Sequence, residues 1–232
     1  MKVRKKIAIH QPQYLPWPGY FDKMDRADMF VLLDDVQYKK NEWQNRNRIR
    51  TASGWQWLTV PVTYSFGDRI RQVSVNTAEK WREKHGKSLY YNYSKAEYFR
   101  KYYPIFEEAF SREWEKLAEL NVFFIRELAA VIGIDTQVVF SSGIETRASA
   151  TGRLVEICSA FGADVYLSGQ GGADYLDEEL FAEAGIELEY QSYSPAEYDQ
   201  VYKPFIPGLS VADMLFCTGP GCLKTIRRGR MK

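Results

Sequence analysis

Residues 7–33 read I-A-I-H-Q-P-Q-Y-L-P-W-P-G-Y-F-D-K-M-D-R-A-D-M-F-V-L-L. Two short apolar runs, Ile7 to Ile9 and Phe30 to Leu33, are bounded by breakers, which is the pattern of buried strands. Between them Pro12, Pro16, Pro18 and Gly19 forbid regular structure, and Tyr20 to Arg26 leaves room for about two helical turns. Strand, loop, helix, strand in so few residues implies two parallel neighbours with a helix on one face. Ligands of open α/β sheets bind beyond the carboxyl ends of the strands. The polar residues that follow these two runs, His10, Gln11 and Gln13 after the first and Asp34, Asp35, Gln37 and Lys39 after the second, are therefore the first place to look for chemistry.

Working outward, Arg46 to Arg50, the Ala52-Ser53-Gly54 turn and Trp55 to Val62 have the pattern of a hairpin. A further strand is expected over Ile70 to Val75, so that the first 75 residues would form a mixed sheet segment. From Asn76 to Gly133 the period is helical. Trp81, His85 and Leu89 share one face, Pro104 is expected to break or kink a helix from Tyr98 to Phe110, and Ser111 is placed as the cap of a helix ending at Ile132. The remainder alternates: strand Val138 to Phe140, helix Thr151 to Phe161, strand Val165 to Leu167, helix Leu176 to Ala184, strand Ile186 to Tyr190. Ser210 caps a short helix through Phe216, and the basic end, K-T-I-R-R-G-R-M-K, is expected to be frayed or to seek a partner. The fold class is thus α/β, a Rossmann-like, mostly parallel sheet flanked by helices. One domain spans 1–232, with a β-hairpin extension over about 44–75 and a helical insertion over about 77–133.

Composition removes several function classes. Lys plus Arg is 31 against 30 Asp plus Glu, so no net field recruits nucleic acid or an anionic membrane. The basic start M-K-V-R-K-K is followed by only three apolar residues, and no stretch reaches the roughly 18 apolar residues of a membrane span. A cytoplasmic location is expected. Three cysteines, Cys158, Cys217 and Cys222, lack metal-type spacing, and two histidines exclude a histidine-rich metal centre. The unusual quantity is aromatic: 16 Tyr, 13 Phe and 6 Trp, many beside Pro or Asn, where faces with polar handles suit sugars, bases and flat cofactors.

His10, at a strand end, can act as a general base, or hold the proline loop by packing. Asp34 and Asp35 could orient that base, bind a substrate amine or hold magnesium. Neighbours in a strand face opposite ways, so one of them is expected to enter the site and the other to cap or to pair with Arg46 or Arg48. Alternation in W-Q-N-R-N-R sets Gln44, Arg46 and Arg48 on one side and Asn45 and Asn47 on the other. Guanidinium forks suit phosphate or carboxylate, amides suit sugar hydroxyls, and a solvated hairpin edge would look the same. Ser168-Gly169-Gln170-Gly171-Gly172 follows a strand and precedes a helix, which fits either an anion-binding turn or a plain tight turn.

These residues carry a resemblance. H-Q-P-Q-Y-L-P-W-P-G-Y-F-D-K, L-D-D-V-Q-Y-K-K-N-E-W-Q-N-R-N-R-I, W-L-T-V-P-V, Lys84-His85, Y-L-S-G-Q-G-G with Tyr175, and S-V-A-D-M-L-F together resemble the WbqC-like family of bacterial proteins, in the family's order. Cys217 stands where family members often have Asn. The resemblance implies an enzyme of O-antigen or other surface-polysaccharide synthesis that attaches an acyl or aminoacyl group to the amine of a nucleotide-linked amino sugar. Its implied donor is an activated acyl group, a CoA or carrier-protein thioester, with an acyl carrier protein as a possible partner. Tyr14 and Trp17 would stack on a ring, and His85, Ser168 to Gly172 and Tyr175 would join the binding set. A weaker topological similarity, to the nucleotidyltransferase and pantothenate-synthetase superfamily, implies ATP with magnesium and an adenylate. The second histidine of that superfamily's H-x-G-H signature would fall near Tyr20 and is absent. A non-catalytic module that binds an amino sugar or a carrier protein is the third reading.

Overall fold

The computed structural model describes residues 4–231. Strand β1 (Lys6–His10) leads through the proline loop to helix α1 (Pro18–Asp25) and strand β2 (Met29–Leu32). The helix begins two residues before the expected Tyr20 because Pro18 occupies its first turn, where a missing N–H costs nothing and a fixed φ helps.

Antiparallel β3 (Arg46–Thr51) and β4 (Gly54–Thr59) follow, then β5 (Val62–Thr63) and β6 (Ser74–Val75). These are two separate two-stranded ladders and do not extend the central sheet, contrary to the mixed segment expected. Residues Ile70–Gln72 form a 3-10 turn in place of a strand, with Ile70 and Val73 both buried at a spacing of three.

The helical segment contains α2 (Trp81–Tyr93), α3 (Phe99–Ser111) and α4 (Leu117–Ile132). Trp81, His85 and Leu89 do form one buried face. Helix α3 carries Pro104 without a break. Ser111 closes α3 through Glu108 O rather than capping α4, because the intervening chain returns to the small ladder, where Glu115 O accepts from Val75 N.

Strand β7 (Gln137–Phe140), helix α5 (Ala150–Ala160), strand β8 (Val165–Ser168), helix α6 (Glu178–Glu183) and strand β9 (Glu187–Tyr190) complete the alternation. The parallel sheet has the order β7-β2-β1-β8-β9. Both faces are covered, and the strand period of two sorts the core. Ala8, Phe30, Leu32 and Leu167 join one cluster, while Ile7, Ile9, Met29, Val31 and Tyr166 join the other. The chain moves outward from β1 through β2 to β7, then crosses back to β8 and β9. The reversal opens a crevice between the carboxyl ends of β1 and β8, the position where doubly wound sheets bind ligands.

Helix α7 (Val211–Thr218) is capped by Ser210 Oγ, as expected, and α8 (Cys222–Arg228) follows it. The basic end is not frayed through Met231: Arg227 and Arg230 both pair with Asp25, and Arg230 Nε lies 2.6 Å from the fully buried Asp22. Lys232 and Met1 to Val3 lie outside the described residues. Among the described residues no helix is long and apolar enough to cross a membrane. Since Asp22 would be left buried without its guanidinium, Arg230→Ala should lower unfolding free energy by about 1–3 kcal/mol, less than a fully enclosed pair because Arg230 is partly exposed; urea titration measures it.

Candidate functional site

Two adjoining cavities occupy the β1/β8 crevice. The first, about 350 Å³, is walled by His10, Gln11, Lys23, Tyr166, Ser168 and the glycines of the turn after β8. The second, about 460 Å³, is walled by His10, Gln13, Trp17, Trp43, Arg48, Gln191 and Tyr193. His10, Gly169 and Gly171 belong to both. The strand geometry explains this: His10 is the last residue of β1 and Ser168 the last of β8, so the next residues of each chain form the rim.

The ring of His10 stands edge-on to Tyr20 at 4.7 Å, and its Nδ1 lies 3.4 Å from Gln11 O. Burial, then the neighbouring Lys23 ammonium, pushes its pKa well below the ordinary histidine value, so the imidazole is neutral at pH 7. Gln11 is held by Gln44, whose Nε2 donates to Gln11 Oε1 at 2.8 Å, while Gln44 Oε1 accepts from Lys39 N. Gln13 is 8% exposed, and its Oε1 has no hydrogen-bond partner.

The glycine turn is a 3-10 segment (Gln170–Asp174), not the start of an α-helix. A Cβ at Gly172 would sit 2.1 Å from Ser168 Oγ, whereas one at Gly169 or Gly171 would meet nothing within 4 Å. Gly172 is thus needed for packing over a buried Ser168, and the other two expose backbone to the cavities. Gln170 lines the second cavity, and Tyr175, largely exposed, lines the first.

Several expected site residues lie elsewhere. β2 ends at Leu32, so Asp34 and Asp35 are past the strand and do not face opposite ways. Both reach the loop after β7: Ser141 Oγ donates to Asp35 at 2.5 Å and to Asp34 at 3.2 Å, and Ser142 Oγ donates to Asp34 at 2.8 Å. The ion-pair partner of Asp35 is Arg153, at 2.6 Å, and not Arg46 or Arg48. Burial raises the Asp35 pKa, but Arg153 and Ser141 outweigh it and hold the carboxyl below its usual range. Neither aspartate lines the two cavities. Asp34 lines a separate one beside Arg71, Lys116 and Arg126.

Gln44 precedes β3 and is buried, so it does not share a side with Arg46 and Arg48. Asn45 and Asn47 are buried braces, donating to Val60 O at 3.0 Å and Leu15 O at 2.8 Å. Arg46 lies over Trp57 at 4.3 Å and lines neither cavity. Arg48 does line the second, with Nη2 donating to Gly208 O at 3.0 Å. Gln37 and Lys39 are exposed and outside both.

Tyr14 and His85 are core residues: the buried Tyr14 hydroxyl meets His85 Nδ1 at 2.8 Å, and Trp81 and Phe110 pack on the imidazole. All three thiols are free, and burial pushes each pKa up to about 12, which removes Cys217 as a thiolate nucleophile. A larger groove of about 1200 Å³, lined by Tyr90, Tyr91, Tyr103 and Tyr202, takes in none of the expected site residues.

Sequence reasoning missed Lys23, Trp43, Gln191 and Tyr193. Lys23 is 2% exposed, its Nζ donates to Ile9 O at 2.8 Å, and burial lowers its pKa to about 7. The available signal was a lysine in the first helix after His10, at a position whose neighbours Phe21 and Met24 are apolar.

A parallel α/β sheet with a polar, aromatic-rimmed crevice at its strand-order reversal is a Rossmann-like arrangement, a fold in which ligand sites fall at such a crevice. The profile of the WbqC-like protein family matches residues 11–225, and the chain belongs to that family. It is 36% identical over 222 residues, 93% of this chain and 94% of the relative, to Uncharacterized protein Rv1507c of Mycobacterium tuberculosis. No solved structure matches it.

The core position of His85 has a pH signature. Burial lowers its pKa to about 4, so the unfolded chain takes up the proton first, and stability falls as pH drops from 6.5 towards 4. His85 should account for about 2–3 kcal/mol of the acid loss, and His85→Phe should remove that share and leave the share of His10, at a cost of about 1–2 kcal/mol at neutral pH for the lost Tyr14 bond. Urea titrations at pH 4.5 and 7.5 measure both.

Proposed function

We propose that this protein binds a nucleotide-linked amino sugar in the His10 crevice and transfers an acyl or aminoacyl group to the sugar's amine from a thioester donor, in the synthesis of a surface polysaccharide. The observation that carries the reading is a neutral imidazole in the wall shared by two cavities, each large enough for part of a bisubstrate complex. The amine attacks the thioester carbonyl, forming the C–N bond and breaking the C–S bond. His10 takes the proton released from nitrogen and returns it to the departing thiolate. In the second cavity Trp17 and Trp43 offer ring faces, Gln13 offers an unused acceptor and Arg48 a cation. The family's association with surface-polysaccharide gene sets supports the substrate class, and such substrates imply a cytoplasmic site of action.

The aspartates have no part in this step, since Ser141, Ser142 and Arg153 engage them. The donor set also weighs against magnesium-dependent adenylation. Bound magnesium takes one or two carboxylates besides phosphates, and neither cavity is lined by Asp or Glu among the described residues.

Thiol release from acyl thioesters in the presence of a panel of nucleotide diphosphate amino sugars tests the reading. Turnover should fall about 10²–10⁴-fold in His10→Ala. Full activity in His10→Ala would remove the base. Amino-acid-dependent pyrophosphate release from ATP would favour adenylation, and binding without turnover of any donor would favour a binding module.

A further inference from the structure

Lys23 is a cation placed where little supports its charge. Its side chain is almost wholly buried in α1, its amine bonds to a main-chain carbonyl, and the cavity it lines has no Asp or Glu in its wall among the described residues. Asp22, the adjacent residue, is turned away to Gln191 and Arg230. A buried ammonium without a carboxylate is costly and is kept where it has work to do. On the opposite rim Gly169 and Gly171 present bare backbone to the same space, and in the adjoining cavity Gln13 Oε1 and the Tyr193 hydroxyl are buried without partners.

The geometry points to an oxyanion subsite in the first cavity, in which a phosphate or carboxylate group of the ligand supplies the counter-ion that Lys23 lacks. A cavity of about 350 Å³ admits such a group with the atoms next to it, while the ring-lined second cavity takes the remainder of the molecule. This deepens the His10 reading and rests on it for the identity of the crevice, but oxyanion binding does not require acyl transfer.

Anion binding here is coupled to protonation. The groups facing Lys23 are His10 from β1, Cys158 from α5, Tyr166 from β8 and Tyr175 after the glycine turn. Burial sends His10 below the neutral range, raises Cys158 to about 12 and carries Tyr166 higher still. Lys23, at about 7, titrates between them. An anion raises its pKa, so affinity is greatest below pH 7 and declines as pH rises above it.

Sulfate, a phosphate surrogate, and acetate, a carboxylate, both stay fully ionised between pH 6 and 9, so calorimetric titration of each into the whole protein reports the protein's proton alone. The expected result is one site for at least one probe, with Kd rising by up to about tenfold per pH unit above 7. Lys23→Met should bind at least about tenfold more weakly, and Lys23→Arg should bind without the pH dependence, since guanidinium remains charged. Preference for sulfate assigns the phosphate, and preference for acetate the carboxylate. Thermal melting confirms that each variant is folded. Absence of binding by folded wild type, or unchanged affinity in folded Lys23→Met, overturns the assignment. Acyl transfer by a protein that binds neither probe would leave the proposed function standing and remove only this subsite.

Discussion

The hydrogen bond from Lys23 Nζ to Ile9 O, 2.8 Å long, ties the first helix to the carboxyl end of the central strand, and the crevice takes its shape from that junction. Adjacent polar residues on α1 bind in different directions. Lys23 reaches β1, while Asp22 accepts from Gln191 beyond β9 and from Arg230 near the C-terminus. The helix is fixed from two sides, and His10 is held between the strand that carries it and the Tyr20 ring that α1 presents. Neither polar residue is cheap to bury. One is fully paired and serves the fold; the other is paired only to backbone and faces a cavity.

Amides hold the proline loop in place. Asn47 donates to Leu15 O, Asn121 to both Pro12 O and Gln44 O, and Gln44 Nε2 to Gln11. A loop rich in proline has few N–H groups and many carbonyls to satisfy, so buried amides from the hairpin and from α4 suit it. The hairpin and the loop before it thereby become a wall of the second cavity, bringing Arg48 and Trp43 beside Trp17. The electrostatic consequence is asymmetric: the described residues place cations and neutral amides, but no carboxylate, around both cavities.

Much of the fold was legible because strand ends are marked by abrupt changes of residue type. Ile9 to His10 and Leu167 to Ser168 both end where apolar residues give way to polar ones, and the two meet at one crevice. What misled was a strand rule carried past the end of its strand. Strand alternation was extended to Asp34 and Asp35, although β2 had already ended at Leu32. Ser168 to Gly172 was legible as a turn between a strand and a helix, but not the 3-10 geometry it adopts before α6. His85 could not be separated from His10 by residue type; the helical period set Trp81 and Leu89 on its face, but the contacts with Tyr14 and Phe110, distant in sequence, appear only in the packing. Lys23 escaped for the opposite reason: lysine is rarely buried, so composition assigns it to the surface.

With only two histidines in the chain, one at the crevice and one in the core, imidazole NMR resolves the central claim. Titration of a nucleotide diphosphate amino sugar into the protein, followed through the histidine ring signals, should move those of His10 and leave those of His85 in place. Movement of His85 with His10 unchanged would contradict the placement of the site between β1 and β8.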